Sequence, residues 1–258
     1  MFHPRPRRRF AHELGWFVRF PRILAATWAL KRRHRALGTD YLDFQRAFFG
    51  GLPSLEQTND KFCALRRRVA EYARAGGRSS ALDVATGYGF QAGALRDAGF
   101  EHVAAIDVVP ARVEHGRRLF PSGIDFRVMD AVKLDFPDAS FDAVTVSAAL
   151  HDMPPAVKRQ VIAELSRVAR HTVVLLEPRT FRNPALALFY GTLGSWLDES
   201  LYFHEYVRDD LPAVLAEHGL HVVQQDVVWF RFIEITVCTR GEPVAARAPL
   251  QAALAETP

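Results

Sequence analysis

The chain has 258 residues, of which 49% are hydrophobic and 24% are charged. This fits one α/β domain with additions, or at most two small domains, and leaves enough apolar residues for a sizeable core. The two cysteines, Cys63 and Cys238, suit a reducing compartment better than a disulfide scaffold. The cysteines and histidines lack the spacing of a zinc site, and no uncharged apolar run is long enough to span a membrane.

The positive charge is concentrated at the start of the chain. Residues 1–35 contain ten Lys or Arg and a single acid, Glu13, so they carry +9, whereas the rest of the chain carries −5. An acidic body argues against nucleic acid as the partner, and a basic arm favours an anionic surface, a protein partner or simple solubility. Glu13, Arg19 and Arg22 interrupt the first apolar stretch and no cleavage site follows, so we expect no export signal and a cytoplasmic location, with peripheral contact at the inner membrane face as an addition.

Apolar residues recur at steps of three and four from Trp16 to Trp28, which predicts a helical extension that Pro21 divides or restarts. Two interpretations remain open. The helix docks on its own domain, or its tryptophans and arginines lie at a lipid surface. The predicted domains are a basic arm (residues 1–53), a main domain (54–240) and a loose tail (241–258).

A helix is predicted from Ser54 to Ala75, ending at Gly76-Gly77. After it, short apolar runs alternate with helical patterns. The predicted helices cover 90–98, 111–119, 155–169 and 209–219. The predicted strands are Ala81–Ala85, His102–Asp107, Asp125–Met129, Phe141–Ser147, His171–Leu176, His221–Val228 and Phe232–Thr239. Because the first five strands alternate with helices and the last two form a hairpin, we predict an α/β fold. It is a Rossmann-like, seven-stranded, mostly parallel sheet with helices on both faces and an antiparallel C-terminal strand.

A glycine-bearing turn follows the first strand. Gly87 and Gly89 allow the backbone to approach a ligand closely, and the helix that starts near Phe90 points its N–H groups at the same place. With Gly93 the spacing also admits a dinucleotide site. Against that alternative, no tyrosine has a lysine four residues later, and Asp83 lies in the strand where a nicotinamide fold is normally apolar.

Two further acids end the next strands. Asp107 closes the second strand, where a carboxylate can accept hydrogen bonds from both ribose hydroxyls of a nucleoside. The alternative is that Asp107 caps the helix that begins at Pro110. Asp130 follows the third strand and can accept from an adenine amino group. All of these polar groups fall at the carboxyl ends of strands, where open α/β sheets bind ligands.

Together these motifs resemble the class I methyltransferases that use S-adenosylmethionine (SAM), over roughly residues 80–180. The stretch "DVATGYG" and the segment 196–211 are similar to the ubiquinone/menaquinone-biosynthesis C-methyltransferases. Ala85 departs from the glycine that the wider family often has at this position. The resemblance implies SAM as cofactor and assigns its contacts to nine residues: Asp83, Ala85, Gly87, Gly89, Asp107, Val108, Asp130, Ala131 and Ser147.

Methyl transfer from a sulfonium is an in-line displacement that proximity and desolvation can drive, and a base helps when the acceptor must lose a proton. His151 is the candidate base, because it lies in the loop after the fourth strand. The alternative is that His151 or Asp152 only caps the helix at Pro154/Pro155 or shapes the floor of the pocket. His204 and Glu205 are the next candidates, and Glu177 is interpreted as structural.

The predicted lid, residues 179–206, is rich in aromatic and aliphatic side chains. Because insertions at this place cover the acceptor pocket in such folds, we expect a small, hydrophobic acceptor that resembles a quinone, a phenol or a lipid. The alternative is a lid that packs only on its own core.

Two separated cysteines do not supply the thiols that arsenic methylation would need. A second class of function is a SAM-binding scaffold or partner subunit without transferase activity.

The arm gives the first testable prediction. Full-length protein should co-sediment with anionic liposomes, weakly with neutral ones and less at high salt, since each base near an anionic bilayer contributes at most about 1 kcal/mol. A chain that begins near Thr39 should stay soluble and bind SAM, but it should no longer co-sediment with the liposomes. An insoluble truncated chain would show instead that the aromatic face of the arm belongs to the protein's own core.

Overall fold

The computed structural model describes residues 25, 28, 29, 31–33, 63–75, 78–197, 200–228 and 232–241. The chain divides into two compact units, Met1–Asn59 and Asp60–Pro258. In the first unit the six described residues are helical. The rest of the predicted arm helices, the predicted helix start at Ser54 and nearly all of the predicted tail lie outside the described residues. The predicted domain limits stay predictions.

The second unit contains seven strands and seven helices among its described residues. In chain order they are α1 (Cys63–Arg74), β1 (Ser80–Val84), α2 (Phe90–Asp97), β2 (His102–Asp107), α3 (Pro110–Leu119), β3 (Asp125–Val128), β4 (Phe141–Ser147), α4 (Pro155–Val168), β5 (Ala169–Pro178), α5 (Pro184–Leu197), α6 (Phe203–Tyr206), α7 (Leu211–Glu217), β6 (Leu220–Val228) and β7 (Ile233–Arg240). A short 3₁₀ turn, Leu150–Asp152, follows β4.

The strands form one sheet in the order β3-β2-β1-β4-β5-β7-β6. The pairs among β1 to β5 are parallel, and β7 runs antiparallel to both of its neighbours, β5 and β6. This confirms the predicted Rossmann-like, mostly parallel sheet with an antiparallel C-terminal strand. The chain leaves β1 toward β2 and β3 and then returns to β4 on the other side. The carboxyl ends of β1 and β4 therefore form the switch point at which such sheets bind ligands.

The sheet is flanked by helices, and its central strands are buried along their length, which explains their continuous apolar runs. Helix α1 buries one face, which joins the apolar core of the sheet. The side chains in this shared cluster include Val69, Ala70, Tyr72 and Ala73 from α1 with Ala81, Val174, Leu176, Ile235 and Val237 from the strands.

Several predicted boundaries are shifted for identifiable reasons. Strand β1 ends at Val84 rather than Ala85, because Ala85 has a φ of 54°, outside the extended region. Strand β5 is longer at both ends than predicted, because its first residue pairs with β4 and its last two pair with β7. Helix α7 is shorter than predicted and begins after Asp210, whose side chain accepts a hydrogen bond from the Ala213 amide at 3.4 Å.

Both cysteines are free thiols. Cys63 is exposed, whereas burial raises the pKa of Cys238 to about 12. No helix in the described part of the chain is both long and apolar enough to cross a bilayer.

Candidate cofactor and active site

The turn between β1 and α2 takes a left-handed backbone at three residues: Ala85 (φ 54°), Gly87 (φ 58°) and Gly89 (φ 85°). A Cβ added to Gly89 would lie 2.6 Å from the ring of Phe126, so this position requires glycine for packing as well as for its φ. A Cβ added to Gly87 would meet no atom within 4 Å. Gly87 therefore borders open space beside the switch point. Ala85 adopts the left-handed conformation for which the wider family often uses glycine.

Asp83 is buried beneath this turn. Its two carboxylate oxygens accept hydrogen bonds from the hydroxyls of Thr86, at 2.6 Å, and Thr145, at 2.7 Å. Burial raises the pKa of Asp83 to about 6, against the opposing effect of these two hydrogen bonds. The observed role of Asp83 is to tie the turn to β1 and β4, and its direct contact with a cofactor stays a prediction.

Asp107 lies across the turn at the end of β2. One carboxylate oxygen accepts from the Gly87 amide at 2.9 Å, and the other accepts from the Val109 amide at 2.9 Å. Burial raises the pKa of Asp107, and the Arg112 guanidinium, 3.6 Å away, opposes that effect. A carboxylate can accept about four hydrogen bonds, so two backbone donors orient it without exhausting it. The helix-cap alternative is wrong, because the N-cap of α3 is Val109 and no side chain caps that helix.

The other predicted contacts lie at the same edge of the sheet. Asp130, which follows β3, is partly exposed and accepts from the Val132 amide at 3.1 Å. Val108 and Ala131 follow β2 and β3 and are also partly exposed. Ser147 ends β4 and donates to the side-chain oxygen of Gln91 at 3.3 Å. The fold therefore brings the candidate cofactor residues together along the carboxyl ends of four adjacent strands.

His151 lies in the 3₁₀ turn after β4, buried beside the last residues of β5. Its Nδ1 lies 2.7 Å from one carboxylate oxygen of Glu177, and the other oxygen of Glu177 accepts from the amides of Ala149 and Leu150 at 2.8 and 2.9 Å. When Nδ1 carries the ring proton, it can donate to this Glu177 oxygen, because the two amides occupy the other one. In the neutral imidazole Nε2 then lacks a proton and is the basic nitrogen; it lies 3.7 Å from Asp152 Oδ1.

The segment 200–206 of the predicted lid lies over this histidine. The Ser200 hydroxyl donates to the carbonyl oxygen of His151 at 2.6 Å. The imidazole makes edge contacts with the rings of Phe203 and Tyr206, at centroid distances of 5.7 and 6.0 Å. Among the described residues the buried Tyr206 hydroxyl has no hydrogen-bond partner. Burial raises the pKa of Tyr206 well above its usual value, so this hydroxyl is a neutral donor.

The alternative bases lie elsewhere in the lid. Glu205 is exposed, and His204 packs against α5, where a Cβ on Gly191 would come 2.6 Å from its Nδ1. Of the three candidate bases, His151 is the one that pairs with a buried carboxylate.

Residues 81–172 match the family described as a methyltransferase domain. This part of the chain is a class I methyltransferase domain. The match confirms the predicted methyltransferase family for this part of the chain, and SAM is the cofactor that this family implies.

Relatives of this chain include proteins described as demethylmenaquinone methyltransferases. The demethylmenaquinone methyltransferase of Renibacterium salmoninarum is 36% identical over 167 residues, which cover 63% of this chain and 64% of that protein. The protein of the same description from Beutenbergia cavernae is 36% identical over 120 residues, 46% of this chain and 48% of the relative. The chain thus spans about half to just under two thirds of these curated relatives.

The fold is shared with solved methyltransferases. The magnesium protoporphyrin IX methyltransferase of Synechocystis PCC 6803, solved with bound SAH, superposes with a TM-score of 0.57 at 17% identity, over 80% of this chain and 100% of that one. The geometry of the methyltransferase domain fits such a nucleoside cofactor, because Gly87 borders open space and Asp107 is held next to it. Which side chains contact SAM stays a prediction.

Sequence reasoning missed two residues of the site. Glu177, interpreted as structural, holds the imidazole of His151 as well as the loop. Gln91 is buried, joins Ser147 of β4 and donates to the Arg66 carbonyl of α1 at 3.2 Å. Glu177 could have been found from the sequence. It lies at the carboxyl end of β5, and acids at the carboxyl ends of strands were the reason for selecting Asp107. Nothing in the sequence singled out Gln91.

Proposed function

We propose that the full chain transfers the methyl group of SAM to a small hydrophobic aromatic acceptor, a quinol or a phenol, with His151 as the base. The observation that carries the proposal is the His151–Glu177 pair buried under an aromatic lid. The names of the demethylmenaquinone methyltransferase relatives favour the quinol within this class.

The lid supplies an aromatic surface near the base. Phe181 stacks on Tyr190 at a centroid distance of 4.5 Å, and Phe203 stacks on Phe232 at 5.9 Å. Aromatic rings of this kind favour a flat, apolar acceptor. The buried Tyr206 hydroxyl supports an acceptor that also carries a polar group, since a buried hydroxyl without a partner is costly.

In the proposed reaction, His151 takes up the proton that the acceptor loses. SAM, when bound, supplies an electrophilic methyl group on a sulfonium. His151 Nε2 takes the proton of the acceptor hydroxyl, which makes the acceptor a stronger nucleophile, and Glu177 stabilises the imidazolium that forms. The lid side chains keep water from the reacting atoms, which favours in-line displacement. The products are S-adenosylhomocysteine, the methylated acceptor and one proton, which returns to solvent from His151.

A panel of acceptors tests this proposal. Purified full-length protein and SAM labelled in the methyl group should give an extractable labelled product with a reduced prenylated naphthoquinol, and none with the oxidised quinone, which has no hydroxyl proton to lose. A lipid extract supplied in the same way widens the panel to phenols. SAM binding without label transfer to any member would instead favour the non-catalytic scaffold.

A further inference from the structure

The outer face of α5 is apolar and exposed. Four large side chains of this helix are between 41% and 60% exposed: Leu186, Leu188, Phe189 and Leu193. Three of them, Leu186, Phe189 and Leu193, follow at steps of three and four and therefore share one face. The opposite face contains Ala187, Gly191 and Gly194, which are buried. The segment from Asn183 to Leu197 contains no charged residue. A patch of this kind marks a contact surface.

We infer that this outer face of α5, defined by Leu186, Leu188, Phe189 and Leu193, rests on the surface of a lipid bilayer. The helix has 14 residues, so it is about 21 Å long. That is shorter than the roughly 30 Å hydrocarbon core, so α5 lies on the bilayer with its apolar side chains among the headgroups and upper acyl chains.

The charges next to α5 fit a zwitterionic surface. The Phe181 amide donates to the Val207 carbonyl at 2.9 Å, which brings Arg182 and Arg208 to the same end of the helix. Arg182 is 83% exposed and lies 3.3 Å from Asp210. The exposed Glu205 lies in α6, which packs against α5. Since bases and acids balance there, burial of the apolar face must drive the contact, and anionic lipid is not required. A chain that begins near Thr39 retains α5 and should therefore keep this contact, in place of the complete loss of liposome binding that the arm alone predicts.

A chain of aromatic contacts connects this face to the base. Tyr190 of α5 lies 5.8 Å from Phe232, Phe232 stacks on Phe203 at 5.9 Å, and Phe203 contacts His151 at 5.7 Å. Helices α5 and α6 also approach closely, because a Cβ added to Gly194 would overlap the Phe203 ring. The inference rests here on the proposed function: a prenylated quinol dissolves in the bilayer, and α5 places the aromatic lid where such an acceptor resides.

The test uses the full chain and phosphatidylcholine vesicles at about 0.5 M NaCl, which screens the basic arm. The double variant Leu186→Gln/Phe189→Gln should lower the partition coefficient about tenfold or more, because it removes apolar burial. The matched control is Leu119→Gln/Val223→Gln, whose side chains are 43% and 45% exposed on other elements. The control should bind vesicles as the natural chain does, and all three proteins should bind SAM equally.

Two results would overturn the inference. In one, the α5 variant and the natural chain partition equally. In the other, the natural chain is a dimer by light scattering and the α5 variant is a monomer, which would make the face an interface between two copies. Failure of the proposed function is recognised separately: no quinol is methylated in detergent, whatever the vesicles show. If the natural chain binds vesicles and also methylates a quinol without a prenyl tail in detergent, the lipid contact of α5 and the proposed function are both supported.

Discussion

Replacing His151 with alanine should lower kcat by roughly 100-fold or more while SAM affinity changes less than about threefold. The imidazole is held by Glu177 at 2.7 Å and lies next to the lid rings, and His151 is not among the residues predicted to contact SAM. Its loss therefore removes proton transfer and leaves the cofactor side of the site intact. Single-turnover rates with the quinol acceptor and calorimetric titration with SAM measure the two quantities separately. If rate and affinity both stay within threefold, His151 shapes the loop and the reaction proceeds through proximity alone.

Glu177→Gln is the matched control for this assignment. The amide oxygen of glutamine can still accept from the Ala149 and Leu150 amides, so the loop should keep its structure. The negative charge that stabilises the imidazolium is lost, so kcat should fall and the acid limb of the profile of log kcat against pH should move to lower pH. A purely structural role for Glu177 would leave that limb in place.

The sheet could be predicted from the sequence because its central strands are covered on both faces. This produces continuous apolar runs such as the one in β5, separated by glycine turns and helical patterns. The ends of elements were less predictable, because they depend on partners. Strand β5 extends to Pro178 only because β7 supplies the pairing residues, and the sequence of β5 does not show this.

The candidate site could be predicted at the level of strand ends and not at the level of hydrogen bonds. Acids at the ends of β1, β2 and β3 were found because parallel strands bring their carboxyl ends to one edge. Asp83 accepts hydrogen bonds from Thr86 and Thr145 and so ties the turn together. This arrangement depends on the pairing of β1 with β4, which the sequence does not show. The pair formed by His151 and Glu177 is likewise 26 residues apart and arises where β4 and β5 end side by side.

SAM affinity should fall about thirtyfold when Asp107 is replaced with alanine, which corresponds to about 2 kcal/mol. The carboxylate is buried, and the Gly87 and Val109 amides fix its position next to open space. Without it the two ribose hydroxyls of the cofactor would be buried without their acceptor. The same substitution removes an acceptor from both amides, so the free energy of unfolding should also fall, and affinity must be measured at a temperature where the variant is folded.

The pH dependence of SAM binding separates a ribose contact from this loss of stability. Burial raises the pKa of Asp107, so in the absence of ligand it takes up a proton at a higher pH than an ordinary aspartate. A protonated carboxyl has lost part of its acceptor capacity, so SAM affinity should weaken as the pH falls through that raised value and stay constant above it. Asp107→Asn keeps the shape and one acceptor oxygen but does not titrate, so its affinity should be lower at neutral pH and flat across the same range. Calorimetry that finds parallel pH profiles for the natural chain and Asp107→Asn, or unchanged affinity in folded Asp107→Ala, would remove Asp107 from the cofactor site.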